Sequence, residues 1–562
     1  MKSLFIAAAL AAMTLVSACS GGGGGGGGGS SGGSTAGSTP TIDVTVSASS
    51  SSASVVEGSS ATATFTATAT GTVSTPVVVD LAYDKTVFSS VTETAGTTAG
   101  TYVVTATTLP GLTAGTYTTP ITLRLCEQTA CTTVYSGSTV TYTLTLIVKP
   151  ADWATYQGNA AHTGFLDVTL DATKFAKAWT WTLPVAGTYA TAINSVATGD
   201  GYVFVSKDDY NGNGYVYALN ETDGSVAWTA NLGNVVSEGP PAYANGRVYV
   251  TDMTTGNGGS TLELDAKSGA TLNTYPFYGG GNVLFAPVVA NNHLITPFIT
   301  QDPRDPFVVF FVGVITSYAL DGSHSSLQAA ASGGSRTSQA VATDGTTLYY
   351  YSTPTWEKGT DFLDVFNASN LTAQASISDT YAPPQPPSIG GGMTDDGYYG
   401  APIIASAQTV LSYSGADYSG AILSSAEPLH ARALVSFNRT ANTLGWKSTN
   451  AYLTTPAVAN GVAYVARNTP AVLDALDITS GAVLWSWTPP AGDTAFHRNV
   501  VVVNNLVFVS TDKHVYAIDL TTHQQVWSYA ASGQLAISSN LVLYIATGAT
   551  VGDGGLVAIQ LK

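Results

Sequence analysis

The chain has 562 residues, 44% of them hydrophobic and only 10% charged, against roughly 25% charged in average domains. That apolar content supports large cores and excludes wholesale disorder, and the length suits roughly two to four domains, or one large repeat domain with an appendage. A net charge of −17 argues against nucleic acid as a partner, because phosphate contacts need clustered Lys and Arg. Three cysteines are too few for a disulfide-dense scaffold, and the odd one needs its own explanation.

Met1-Lys2-Ser3 is a short basic start, and Leu4 to Ala18 is an apolar run of 15 residues. Crossing a bilayer takes about 20, so residues 1–18 read as a signal peptide. The run ends in Val16-Ser17-Ala18-Cys19, which resembles the bacterial lipobox. That resemblance implies cleavage before Cys19 and acylation of its thiol and new amino group; the plainer alternative is a secretory peptide cut nearby. Several acyl chains on one residue anchor stably, at about 0.8 kcal/mol per buried CH₂. In the Gram-negative lipoprotein pattern a residue other than Asp after the cysteine implies outer-membrane delivery, and Ser20 stands there. The chain would then face the periplasm or the cell surface. Residues 19–40 contain the unbroken run Gly21 to Gly29, which has no side chains to pack and reads as a flexible tether. A nucleotide-binding loop would need a strand before it and a helix after it.

Residues 41–149 read as a small β-sandwich. Thr41-Ile42-Asp43-Val44-Thr45-Val46, Ala61 to Thr66 and Thr139 to Leu146 alternate polar with apolar, the period-two pattern of half-buried strands. Turn clusters such as Glu57-Gly58-Ser59 and Pro110-Gly111 separate about seven of them, the number expected for a sandwich of immunoglobulin type. Cys126 and Cys131 flank a short polar hairpin. A disulfide is expected in an oxidising compartment; the alternative, a metal or redox role, fits poorly in a Thr-rich strand pair. Leu112 to Tyr117, followed by those cysteines, resembles the immunoglobulin-like modules of bacterial surface proteins.

Residues 150–562 contain an internal repeat. Its clearest copy runs from Val462-Ala463-Tyr464-Val465 through Leu476-Asp477 and Gly481 to Trp485. The markers Asn220, Asp265, Asp321, Asn367, Asn438, Asp477 and Asp519 are spaced by 45, 56, 46, 71, 39 and 42 residues, and Gln560 follows after 41. A period in the forties made only of strand and turn is the signature of propeller blades. In four copies a tryptophan (Trp228, Trp446, Trp485, Trp527) lies eight residues after the marker, so parity places it on one face of the next strand, free to dock on the neighbouring blade. The last copy ends at Lys562 without its outer strand, and an orphan strand, Ala178-Trp179-Thr180-Trp181-Thr182-Leu183, precedes the first. Seven complete copies and this split one predict eight blades closed by pairing the two ends, with Trp179 and Trp181 on the closing strand. The fold class is therefore all-β: an immunoglobulin-like sandwich followed by an eight-bladed β-propeller.

The Ala-Leu-Asp, Gly, Trp unit resembles the repeat of pyrroloquinoline-quinone-like propellers, and Trp153 to Gly164 (WATYQGNAAHTG) resembles the approach segment of that superfamily. Two branches matter: quinone-dependent dehydrogenases, and BamB-like outer-membrane assembly lipoproteins without a cofactor. The dehydrogenase branch implies a quinone held between a tryptophan and a disulfide of adjacent cysteines, with calcium ligands on inserted loops. No cysteine occurs after Cys131. The candidate insertions, Gln301 to Pro306 and Asp379 to Tyr399 with Asp395 and Asp396, supply no recognisable ligand set. His162 reads as a packed strut. Asp209, Asn211 and Asn213 fit the first half of a calcium loop, but its twelfth position is Asn220 rather than Glu, so a polar hairpin is the plainer reading.

These residues predict no catalytic, cofactor-binding or metal site, and a non-enzymatic, outer-membrane-anchored scaffold that holds an envelope or extracellular protein or a glycan. The alternative is a quinone-dependent periplasmic oxidoreductase. Tyr398, Tyr399 and Trp356 are candidate loop contacts, since interface energy concentrates in aromatic anchors; packing within their own loops is the alternative. The acidic surface favours basic or calcium-bridged partners. The chain is read as a monomer that meets the membrane through its lipid alone.

Overall fold

The computed structural model describes residues 41–562 except 72, 74–76, 185–192, 208–211, 236, 255–257, 279–285, 302–310, 333–339, 353–359, 383–400, 416–430 and 549–553. The predicted signal peptide, Cys19 and the tether lie outside the described residues. The described chain is strand and turn throughout, apart from one 3₁₀ turn, Ala172–Lys174. No helix in it is long and apolar enough to cross a membrane. It divides into two compact units at Lys149/Pro150.

The first unit has two four-stranded sheets. Thr62–Thr70 buries Ala63, Phe65 and Ala67 on one side while threonines face out, and Val140–Lys149 does the same with Tyr142, Leu144, Leu146 and Val148. Phe65 stacks on Tyr142 across the core at 4.2 Å. One strand has no alternation to announce it: Ser50–Val56, a serine run, pairs parallel to Val140–Lys149. It is held by its backbone hydrogen bonds, with only Ala53 and Val55 packed against the core. Cys126 and Cys131 are joined, with Cα atoms 5.1 Å apart.

The second unit is a β-propeller. Its described residues form eight antiparallel sheets, numbered here in chain order from the one that starts at Ala197. Each runs inner strand to outer strand along the chain, with two exceptions. In the eighth, the outer strand is Ala176–Thr182, from the other end of the unit: Trp179 lies opposite Ala558, Thr180 opposite Val557 and Trp181 opposite Leu556. The orphan strand therefore pairs with the last one, Gly555–Gln560. The seventh sheet gains an extra innermost strand, Phe165–Leu166, parallel to Val502–Val503.

The repeat marker is a turn cap. The Asp477 carboxylate accepts from the backbone N–H groups of Thr479 and Ser480 and from the Ser480 hydroxyl, and Gly481 N–H bonds back to Asp477 O. Those hydroxyl and backbone bonds hold the carboxyl below its ordinary range, as an anion should be where donors converge. Asp265, Asn367 and Asp519 make the same turn. One marker is displaced. In the third sheet Ala319, not Asp321, occupies the turn position, since Ala319 N bonds Ser325 O as Asp477 N bonds Ala482 O. Asp321 caps only Ser323, inside the turn. An Asp-Gly pair is a strong turn signal wherever it falls, and here it draws the eye two residues too far.

Tryptophans link one sheet to the next. Trp228 Nε1 donates to Ala266 O at 2.9 Å and Trp446 Nε1 to Ile478 O at 2.9 Å, each on the following sheet. Trp179 Nε1 donates likewise to Glu221 O at 2.8 Å. In all three the indole lies over the turn glycine, so a Cβ on Gly224, Gly269 or Gly481 would sit 2.5 Å from the ring. In the remaining pairs the partner changes. Trp485 stacks on His523, which replaces the glycine, at 4.4 Å. Trp527 meets Phe175, just ahead of the closing strand, edge-on at 5.5 Å. Trp181 packs on Tyr217 at 5.2 Å. Asn273 holds the tryptophan position of the second sheet and bonds His324 at 2.9 Å, so a polar pair does the work of the indole there.

Candidate functional site

The approach segment threads the inner strands of every sheet. Trp153 exchanges hydrogen bonds with Thr198 of the first sheet. Its neighbour Ala154 O accepts from Tyr243 N of the second, and Thr155 Oγ1 donates to Pro287 O beside the third. Then Ala160 O, Ala161 O, Thr163 O and Gly164 O accept in turn from Thr343, Ile404, Val458 and Val502, on the fourth to seventh. Ser539 of the eighth donates to Asp152 at 2.5 Å. Gln157 adds bonds to Pro456 O and Val500 O and accepts from Asn499 at 2.6 Å. A stretch so short that supplies a partner to each sheet acts as a hub, and most of its buried polar groups are paired, as burial requires.

His162 lies in this hub, fully buried, with Nδ1 on Pro402 O at 3.1 Å and its ring edge-on to Tyr156 at 5.7 Å. Nε2 has no hydrogen-bond partner among the described residues. Burial drives its pKa down to about 4, against a smaller upward pull from the Pro402 carbonyl. The folded state thus prefers the neutral ring, so this contribution is full above about pH 6.5 and lost as pH falls through about 4. Acid melting curves are expected to show that loss, and His162→Gln, which cannot take the proton, to reduce it.

The alternation of strands places the turns between strands one and two, and between three and four, at one end of every sheet. Those turns are short and capped. The described strand ends that flank residues 302–310, 353–359, 383–400 and 416–430 lie at the other end, and long connections carry function more often than capped turns do. The described residues at their roots converge between the fourth and fifth sheets. Asp361 opens the strand Asp361–Asn367 and lies directly opposite Asp379, the last residue of Ala373–Asp379. Both are buried. Tyr351 donates to Asp379 at 2.7 Å and approaches Asp361 at 3.2 Å. Ser414 donates to Asp379 at 2.7 Å and Gly415 N–H to the Tyr351 oxygen at 2.9 Å. Beneath them the two sheets are joined by Leu363, Val365, Ile377, Val410, Val435 and Phe437. Burial, then the charge of Asp379, pushes Asp361 up to about 7, against the Tyr351 hydrogen bond and the positive charge of Arg432. Tyr351 is driven well above its usual range by burial and the same two carboxyls.

Sequence reasoning did not find this network. The available signal was an aspartate at each end of otherwise apolar strands. Of the residues it did single out, Asp209, Asn211, Trp356, Tyr398, Tyr399, Asp395 and Asp396 lie outside the described residues. Asn213 is exposed in the strand Gly212–Asn220, opposite Asn234. Among the described residues no three His, Cys, Asp or Glu side chains converge as a metal site would require. The second unit has no cysteine in its sequence. This donor set does not fit the disulfide-and-calcium cradle of a quinone, and no reaction step is derived through one. In the first unit a groove of about 590 Å³ is bordered by Tyr83, Asp84, Thr86, Tyr117, Thr118 and Pro120.

Residues 171–311 and 431–562 match the family model described as outer membrane protein assembly factor BamB. Those two segments of the propeller thus carry BamB-like, pyrroloquinoline-quinone-like repeats. The unmatched residues 312–430 hold the outer part of the third sheet, all of the fourth and the inner strands of the fifth; Leu327 and Ala375 stand there at the tryptophan position. No curated protein matches the chain. Among solved structures, BamB from Moraxella catarrhalis is 14% identical over 69% of this chain and 99% of its own, with a TM-score of 0.45. A europium-containing methanol dehydrogenase is 13% identical over 73% and 98%, TM-score 0.47. The quinohemoprotein alcohol dehydrogenase ADHIIG from Pseudomonas putida HK5 is 12% identical over 73% and 80%, TM-score 0.47.

Proposed function

We propose that this chain is a non-enzymatic, outer-membrane-anchored lipoprotein whose immunoglobulin-like sandwich carries an eight-bladed propeller, a scaffold that holds an envelope protein or glycan. The observation that carries the reading is the BamB-like family match at both ends of the propeller, which also favours a part in envelope assembly. The blade count is supported by the eight sheets, their common bonding to residues 152–164 and the pairing of Ala176–Thr182 with Gly555–Gln560. The binding face is the one with the long connections, because the opposite face has its polar groups committed to turn caps. No resident cofactor is assigned, at Asp209, Asn211 and Asn213 or elsewhere.

A photo-crosslinking residue at Tyr381, which is 37% exposed just after the strand Ala373–Asp379, tests the scaffold. It should capture one defined envelope component in intact cells, while the same probe at Thr521, on a capped turn of the other face, should not. Purified chain given pyrroloquinoline quinone and Ca²⁺ should show no tight complex and no dye reduction; an active complex would establish the oxidoreductase instead. Replacing Cys19 by Ser should move the protein from the membrane pellet to the soluble fraction, as expected when several acyl chains are lost together.

A further inference from the structure

We propose that Asp361 and Asp379 hold a single proton between them, and that its release loosens the junction between the fourth and fifth sheets, making that junction a pH-sensitive joint in the propeller. The geometry is specific. The two carboxyls are cross-strand partners, both buried, and one tyrosine hydroxyl spans them. Like charges so placed cannot both ionise cheaply. The Tyr351 hydroxyl proton serves Asp379, the nearer oxygen, and Gly415 N–H already fills a lone pair of its oxygen. Asp379 also accepts from Ser414 and from Tyr381 N–H. Asp361 has far fewer donors, so the shared proton belongs on it.

Among the described residues, each strand packed on the pair contributes a named group. Thr347–Ser352 presents Tyr351, Ala373–Asp379 presents Asp379, the end of Thr409–Tyr413 leads into Ser414, and Arg432–Asn438 presents Arg432. Arg432 acts on Asp361 as its cation and donates to Ser414 O at 3.4 Å. Asp364, on the same strand, points to the opposite side, where Ser332, Ser352 and Ser376 satisfy it. The joint thus ties five strands of two sheets over one apolar contact layer. Losing the proton leaves two facing anions with, among the described residues, Arg432 as the cation that acts on them. The folded state raises the pKa of Asp361 above its unfolded value, so the stability it supplies is full in acid and lost as pH rises through about 7. This inference is independent of what the propeller binds.

The test is hydrogen exchange and thermal melting of the mature chain at about pH 6 and about pH 8.5, corrected for the intrinsic pH dependence of exchange. Wild type should lose about 1–2 °C of melting temperature over that interval, with exchange quickening roughly tenfold in Phe362–Phe366 and Ala373–Ser378 and unchanged in the sixth and seventh sheets. In Asp361→Asn both differences should vanish. Equal pH dependence in wild type and variant, or quickening spread over all sheets, would overturn the proposal. So would suppression of the effect by millimolar Ca²⁺, which would make the pair a cation site. Should the variant fail to fold, infrared difference spectra of wild type decide. A protonated-carboxyl band lost between the two pH values in wild type, and already weakened at the lower pH in Asp379→Asn, where the facing charge that raises Asp361 is gone, supports the shared proton; its absence from wild type at the lower pH refutes it.

Discussion

Replacing Trp179 by Ala should lower the stability of the propeller by about 3–5 kcal/mol, the range for deleting a buried aromatic ring. Trp179 belongs to the closing strand yet docks on the sheet at the far side of the join. Its Nε1 holds Glu221 O, its ring covers Gly224, and Tyr544 lies 5.8 Å away. It therefore contributes to two interfaces at once. Trp228→Ala removes a comparable ring and a comparable hydrogen bond from two sheets that remain continuous in the chain. The two variants should cost similar energy in chemical denaturation but differ in hydrogen exchange. Trp179→Ala should expose the amides of Gly555–Gln560, because the strand that pairs with them loses its anchor. Trp228→Ala should leave those amides protected. Protection of Gly555–Gln560 in both would show that backbone pairing alone holds the join.

The join was legible because it leaves arithmetic behind: a last copy short of one strand and an unclaimed strand before the first. The tryptophan positions were legible for a similar reason, since a fixed offset from a turn fixes the face of a strand. What failed to show did so for physical causes. Ser50–Val56 is stabilised by pairing to Val140–Lys149, and its serines give no periodic signal. Asp321 imitates a repeat marker because Asp-Gly encodes a turn, not a place in a blade. The hub lies in one short segment, but its partners run from Thr198 to Ser539, and no local pattern names them. The Asp361–Asp379 pair depends on cross-strand register between residues 18 apart, and on the fifth sheet arriving across two long insertions. Local chemistry therefore announced the blades, while the contacts that fix how blades meet came from the closed topology.

Two glycines of the sixth sheet separate the causes of glycine's use. Gly461 and Gly481 both have left-handed backbone, with φ of +80° and +71°. A Cβ on Gly461 would meet nothing within 4 Å, whereas on Gly481 it would lie 2.5 Å from the Trp446 ring. Gly461→Ala should thus cost only the conformational penalty of about 1–2 kcal/mol. Gly481→Ala must pay that and also displace the indole, breaking the Trp446 hydrogen bond to Ile478 O, for a total of about 3–5 kcal/mol. Denaturant unfolding of the two variants measures the difference, and tryptophan fluorescence should shift to the red only for Gly481→Ala. The double variant with Trp446→Ala decides the cause. If the clash is the reason, removing the ring should make Gly481→Ala no worse than Gly461→Ala. If the excess persists without the ring, the turn itself demands glycine, and the indole is only a neighbour that fills the space it leaves.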